Sequence, residues 1–291
     1  MLPALVILHW IVVVFAQGSS SAYKILVLSP ITAPSHTDVV QPLVRALADR
    51  GHSITYWSGL KGRPQVSNNN NFRILYSPAL DRINSEYEIG LHDTHFPLLF
   101  DFPARMENYC AAIYQDPVFH QLMTESNDER YDLVIIEGLF NDCVLPLVPV
   151  FDVPFIYVNS FAPTPPWLLD AVGSPLAHSP NSGFGFTGEV NFWQRTFNIV
   201  SGLVAVYFRH WFVVPVVDRV ASKMLSMGDG NVTSVEEIED RYLSLVMTNT
   251  HFSIDYNLQT SDAVVHIGGI HCVPPMPLPS VRTVFQVKIP S

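Results

Sequence analysis

The stretch from Lys24 to Trp57, KILVLSPITAPSHTDVVQPLVRALADRGHSITYW, constrains this chain more than any other. Ile25-Leu26-Val27-Leu28 is an apolar run too short for a helix and without an alternating polar face, which is how a strand buried on both sides reads. After a proline-bearing turn, Ser35 stands three residues before Asp38, the spacing of a capping box, and Val39, Val40, Leu43, Val44, Leu47 and Ala48 recur at helical spacing. Pro42 falls inside that pattern, so the sequence predicts a kink or a helix whose regular part starts late. Gly51 closes the helix, and Ile54-Thr55-Tyr56-Trp57 forms the next strand. Strand, helix, strand in this order predicts a parallel crossover. The fold class is therefore α/β, a parallel sheet with helices on both faces and its chemistry at the strand carboxyl ends. His36 falls at that edge, just inside the helix start.

The rest of the chain extends the same sheet. Phe72 to Tyr76, Tyr131 to Ile136, Pro154 to Val158, Leu245 to Thr250 and Ala263 to Ile267 read as further strands. Between residues 83 and 126, helical spacing broken by Pro97, Pro103 and Pro117 predicts two or three short helices. Ser160 to Glu189 is rich in Pro, Gly and Ser and reads as a long loop at the functional edge. Gly183 to Gly188 satisfies GxGxxG letter by letter, but no strand precedes it, so it is rejected as a dinucleotide fingerprint. A nicotinamide-dependent enzyme is excluded with it, because the first strand carries no such glycines. Asn191 to Ser226 is strongly apolar and helical, and Arg209, His210 and Pro215 interrupt it, so it reads as helices packed on the sheet and against a membrane surface rather than as a spanning helix. Glu236 to Asp240 reads as a solvated helix face.

Composition and the ends of the chain bound the function. The formal charge of −10 argues against nucleic acid, whose phosphates require basic faces. Leu2 to Ala16 is almost wholly apolar and is followed by Gly18-Ser19-Ser20-Ser21-Ala22, which reads as a secretory signal peptide over residues 1–22. A lumenal or secreted location follows, and Asn231-Val232-Thr233 is then a glycosylation acceptor at Asn231. Cys110, Cys143 and Cys272 are too few for a disulfide scaffold and too scattered for a zinc site, so each is expected as a buried apolar thiol.

Pro34-Ser35-His36, Pro42-Leu43 and the run Leu47 to Thr55 resemble the UDP-glycosyltransferases, and the insect members in particular. Asn141-Asp142-Cys143 and Phe192-Trp193-Gln194-Arg195 with Phe197-Asn198 are similar to stretches of the insect enzymes, and Gly268 to His271 with Pro274 to Pro279 resembles the linker between the family's two domains. The resemblance covers nearly all of residues 24 to 280 and stops after Ser280. It implies the Rossmann-like N-terminal domain of a GT-B glycosyltransferase over residues 23–267, with residues 268–291 a Pro-rich linker and tail. It also implies an inverting single displacement on a UDP-sugar, UDP-glucose being the expected donor, with no metal or other cofactor. The acceptor would be a small lipophilic hydroxyl compound in a detoxifying reaction of the endoplasmic reticulum, and the donor would be held by a second domain of similar fold. That domain's signature is not in this sequence, so the chain reads as a truncated, acceptor-binding half.

The resemblance gives His36 the role of base. Glycosyl transfer needs a group to take the acceptor proton, and a histidine does so best when a carboxylate fixes its tautomer. Two acids after the middle strand compete for that place, Asp142 and Glu137, and the sequence reading prefers Asp142 with Glu137 as the alternate. The rival function is a non-catalytic lumenal module that holds lipophilic ligands or pairs with full-length members of the family.

Overall fold

The computed structural model describes residues 22–64, 71–91, 98–125, 130–138, 141–162, 164–176, 191–225, 232–251, 253 and 260–272. The leader at Leu2 to Ala16, the GxGxxG match, the Asn231 acceptor and the Pro-rich run after Cys272 lie outside them. Seven strands form one parallel sheet: β1 (Lys24–Ser29), β2 (Ser53–Ser58), β3 (Phe72–Tyr76), β4 (Leu133–Glu137), β5 (Phe155–Asn159), β6 (Leu243–Thr248) and β7 (Val264–His266). Their order is β3-β2-β1-β4-β5-β6-β7, so the chain winds one way from β1 to β3 and the other way from β4 onward. The crevice between β1 and β4 is the topological switch point, where open α/β sheets hold their ligands.

The sheet is covered on both faces, and the alternation along each strand divides its residues between two cores. Ile25, Val27, Ile54, Tyr56, Ile135, Ile156 and Val158 pack with Val40, Val44 and Ala48 of α1 (Pro34–Asp49). Leu26, Leu28, Trp57, Val134, Ile136 and Tyr157 face the opposite way. There they meet α3 (Leu98–Gln115) through Met106, Cys110 and Ile113, and α4 (Pro117–Glu125) through Phe119 and Leu122. The second core extends to the buried residues of α8 (Val214–Leu225) and α9 (Val235–Tyr242). Because both faces are dry, β1 reads as a continuous apolar run rather than an alternating one.

The remaining helices are α2 (Pro78–Leu91), α5 (Leu147–Phe151), α6 (Pro166–Asp170) and α7 (Phe192–Phe208), the last joined to α8 by a π-helical segment, Arg209–Val213. Three helices therefore occupy the region read as two or three short ones, and α3 runs 18 residues with Pro103 inside it. The expected loop from Ser160 contains α6.

Four local expectations are corrected. Helix α1 begins at Pro34, not behind a Ser35 cap: Ala33 is the N-cap residue, with no side-chain cap bond. Proline has no N–H to satisfy and its φ suits the first helical turn, so it sets the start before the serine can. The helix also runs on through Pro42 rather than starting late. Cys110 and Cys143 are not buried thiols but a disulfide that ties α3 to the turn after β4, and Cys272 is a free thiol exposed to solvent. The acidic run of α9 is not wholly solvated: Glu237 and Asp240 are exposed, but Glu239 is 7% exposed and fully engaged inside.

Candidate active site

His36 and Glu137 meet at the switch point. The β1–β4 register pairs Leu28 with Ile136, which puts the carboxyl ends of the two strands at one level of the sheet edge. Glu137 ends β4, and a short loop from Ser29 leads to α1, whose first turn carries His36. The His36 N–H donates to Ala33 O at 3.1 Å, which fixes the backbone under the ring. The Nδ1 atom then lies 3.0 Å from Glu137 Oε1, with side-chain exposures of 10% and 0%. An ionised carboxylate only accepts, so in the neutral ring Nδ1 carries the proton and Nε2 keeps its lone pair. Among the described residues, none hydrogen-bonds Nε2.

Neighbouring groups complete the pair. Ser160 Oγ donates to Glu137 Oε1 at 3.4 Å, and the Phe161 ring stands edge-on to the imidazole with centroids 4.8 Å apart. Asn141, 1% exposed, accepts from Ile31 N–H at 3.0 Å and donates to Glu137 Oε2 at 3.1 Å. The geometry is that of a base held by a carboxylate: proton transfer to Nε2 would create an imidazolium that Glu137 already faces.

Asp142 is elsewhere. The structure corrects the preferred partner: Asp142 opens a 3-10 turn at Asp142–Val144, and its Oδ1 accepts from Arg209 Nη2 at 2.5 Å, not from His36. The reason is geometric. Glu137 is the last strand residue and projects at the sheet edge, whereas Asp142 lies beyond the loop, where the guanidinium of the π-helical segment claims it. Arg209 also donates to both oxygens of Glu239, at 2.7 and 3.1 Å, and the Tyr157 hydroxyl donates to Glu239 Oε1 at 2.9 Å. Burial alone would lower the Arg209 pKa, but the charges of Asp142 and then Glu239 outweigh it and hold the guanidinium well above its ordinary value. Tyr157 is pushed up as well, first by burial and then by the Glu239 charge. Arg209 and Glu239 also line a cleft of about 320 Å³, together with Trp167, Asp170, Tyr207, His210 and Glu236 among others. His210 is exposed and paired with Glu236.

The structure brings His36 together with Glu137, the alternate in the sequence reading, and adds Asn141 and the acid-arginine cluster, which that reading missed. Asn141 sits in the quoted Asn-Asp-Cys stretch, yet an uncharged amide gives no periodicity or charge signal. Nothing linear connects Arg209 to Asp142 across 67 residues.

The comparisons with known proteins decide the family. The family model described as UDP-glucoronosyl and UDP-glucosyl transferase matches residues 24–287. The chain belongs to that family. The match runs past Ser280, where the resemblance was expected to stop. UDP-glycosyltransferase UGT4 of Dactylopius coccus is 28% identical over 258 residues, covering 88% of this chain and 50% of that protein. UDP-glucosyltransferase 2 of the same insect is 28% identical over 278 residues, covering 90% and 50%. UDP-glucuronosyltransferase 2B15 of Rattus norvegicus is 26% identical over 192 residues, covering 64% and 34%. The chain spans about half the length of the curated relatives it matches. Among solved structures, the calicheamicin glycosyltransferase CalG4 is similar over 85% of this chain and 53% of its own, with a TM-score of 0.45 and 14% identity. Within this UDP-glycosyltransferase domain the Arg209 cluster is structural in character, since its groups satisfy one another. Replacing Arg209 by Leu leaves the buried Glu239 and the part-buried Asp142 without their cation, and should cost about 3–5 kcal/mol of unfolding free energy in urea titration. A loss below about 1 kcal/mol would show that the cluster does not hold α7 and α9 to the sheet.

Proposed function

We propose that this chain is the acceptor-binding half of a UDP-glycosyltransferase and that His36, oriented by Glu137, is its base. The observation that carries the reading is the 3.0 Å bond between His36 Nδ1 and Glu137 Oε1 at the switch point of a family member. As the acceptor hydroxyl oxygen bonds to the anomeric carbon, Nε2 takes its proton and the bond from that carbon to the UDP oxygen breaks. The displacement inverts the anomeric centre, and Glu137 stabilises the imidazolium formed. The acceptor is a small lipophilic hydroxyl compound, and the donor is a UDP-sugar, UDP-glucose in the first instance, held mainly by a second domain. The reading calls for no metal or other cofactor. Location in the lumen of the endoplasmic reticulum, or secretion, follows from the apolar leader at Leu2 to Ala16, and Asn231 would then be glycosylated.

Contact with a membrane surface belongs to the same reading. Along α7 and the π-helical segment, Trp193, Phe197, Val200, Val204, Tyr207 and Trp211 recur every three to four residues and are 50–75% exposed. Phe192, Leu203 and Phe212 widen the stripe, and no charged side chain stands among these nine. A strict coiled-coil seam is narrower than this. A broad uncharged face with tryptophan at both ends suits a helix lying in the headgroup region.

Two measurements test these statements. In a protein in which this chain is continued by the donor domain of a full-length relative, His36→Ala should lower transfer from UDP-glucose to small phenols by about 10²–10⁴-fold. Transfer at the unaltered rate would refute the base assignment. The chain should sediment with phosphatidylcholine vesicles, and the double substitution Trp193→Ser, Trp211→Ser should weaken that binding by about tenfold or more. A chain that stays in the supernatant contradicts the membrane reading.

A further inference from the structure

We propose that Asn141 is a positioning residue for the reaction, acting through Glu137 to select the tautomer of His36; this rests on the His36–Glu137 reading above. One buried carboxamide joins the two loops that bring the pair together. Its Nδ2 donates to Ile31 O at 2.8 Å and, through a hydrogen shared between them, to the Glu137 main-chain oxygen and Oε2, both at 3.1 Å, while its Oδ1 accepts from Ile31 N–H at 3.0 Å. Ile31 lies in the loop that leads to His36, and Glu137 ends β4.

The consequence is orientational. Glu137 has His36 on Oε1 and Asn141 on Oε2, so its carboxylate is held at both oxygens and cannot turn without breaking a bond. In that orientation an Oε1 lone pair stays aimed at Nδ1, the neutral ring keeps its proton there, and Nε2 is left to accept. Free imidazole has no such constraint. Asn141 touches no reacting atom; it decides which nitrogen can.

A second buried asparagine separates this role from plain loop support. Asn84, 2% exposed, donates to Pro30 O and Gly59 O, both at 2.9 Å, and accepts from Thr32 N–H at 3.1 Å. It clamps the same β1–α1 loop through other atoms. If Asn141 only held the loop, losing Asn84 would have the same effect on His36.

The test is the ¹⁵N spectrum of the His36 imidazole in the full chain at neutral pH. The unaltered protein should show the neutral Nδ1–H form. Asn141→Ala should shift the ratio of the two neutral tautomers toward Nε2–H by about tenfold or more, as should Glu137→Ala, while Asn84→Ala should leave it unchanged. An unshifted Asn141→Ala spectrum, or equal shifts in Asn141→Ala and Asn84→Ala, would overturn the proposal and leave the pair standing. An unshifted Glu137→Ala spectrum would instead sink the pair itself, and the proposal with it. Should Asn141→Ala not fold, Asn141→Asp keeps the acceptor for Ile31 N–H but puts a negative charge where Oε2 had a donor. It is expected to replace the neutral Nδ1–H form by the doubly protonated ring, and a retained wild-type spectrum in that folded variant would likewise overturn the proposal.

Discussion

The bond between His36 Nδ1 and Glu137 Oε1 is the interaction on which the account of this domain turns. It exists because two strands that diverge in the winding of the sheet are neighbours within it. The β1–α1 connection leaves toward one side and the loop after β4 toward the other, so the groups at their starts face each other across a crevice. A carboxylate 1% exposed is costly to bury unless donors surround it. Here His36, Asn141 and Ser160 supply them, from the first helix, the loop after β4 and the end of β5. The elements of the fold that carry donors to Glu137 are the same ones that shape the crevice.

The second polar centre does a different task. Arg209, Asp142, Glu239 and Tyr157 satisfy one another where α7, the 3-10 turn, α9 and β5 converge, on the side of the sheet that holds the larger core. The disulfide between Cys110 and Cys143 fastens the turn beside Asp142 to α3. Together they tie the turn at Asp142–Val144 to α3 and to the helix that carries Arg209. Asn141, beside that turn, bonds both Ile31 and Glu137 through its amide.

Much of this was legible in the sequence because it depends on local pattern. Ile25 to Leu28 reads as a strand buried on both sides and the apolar spacing behind His36 as a helix, which put His36 at the carboxyl edge of a parallel sheet, while its role as base came from the family resemblance. The boundaries were less legible, since Pro34 preempted Ser35 at the helix start. The partner acid could not be decided by local rules. Choosing between Glu137 and Asp142 required knowing that a guanidinium from a distant helix occupies the latter. The disulfide was hidden for the same reason: a separation of 33 residues says nothing of α3 lying over the turn after β4. Buried polar pairing is set by tertiary placement, and Glu239 inside an acidic run shows how a solvated-looking pattern can hide a fully engaged residue.

In the proposed reaction Glu137, not Asp142, serves His36. That assignment is tested most directly by the rate of sugar transfer from UDP-glucose in two variants of the chain joined to a relative's donor domain. Glu137→Gln removes the charge that faces the imidazolium and should lower the rate by about 10²–10⁴-fold, whereas Asp142→Asn should keep it within about threefold while lowering stability. A silent Glu137→Gln beside an inactive Asp142→Asn that still folds would contradict the account.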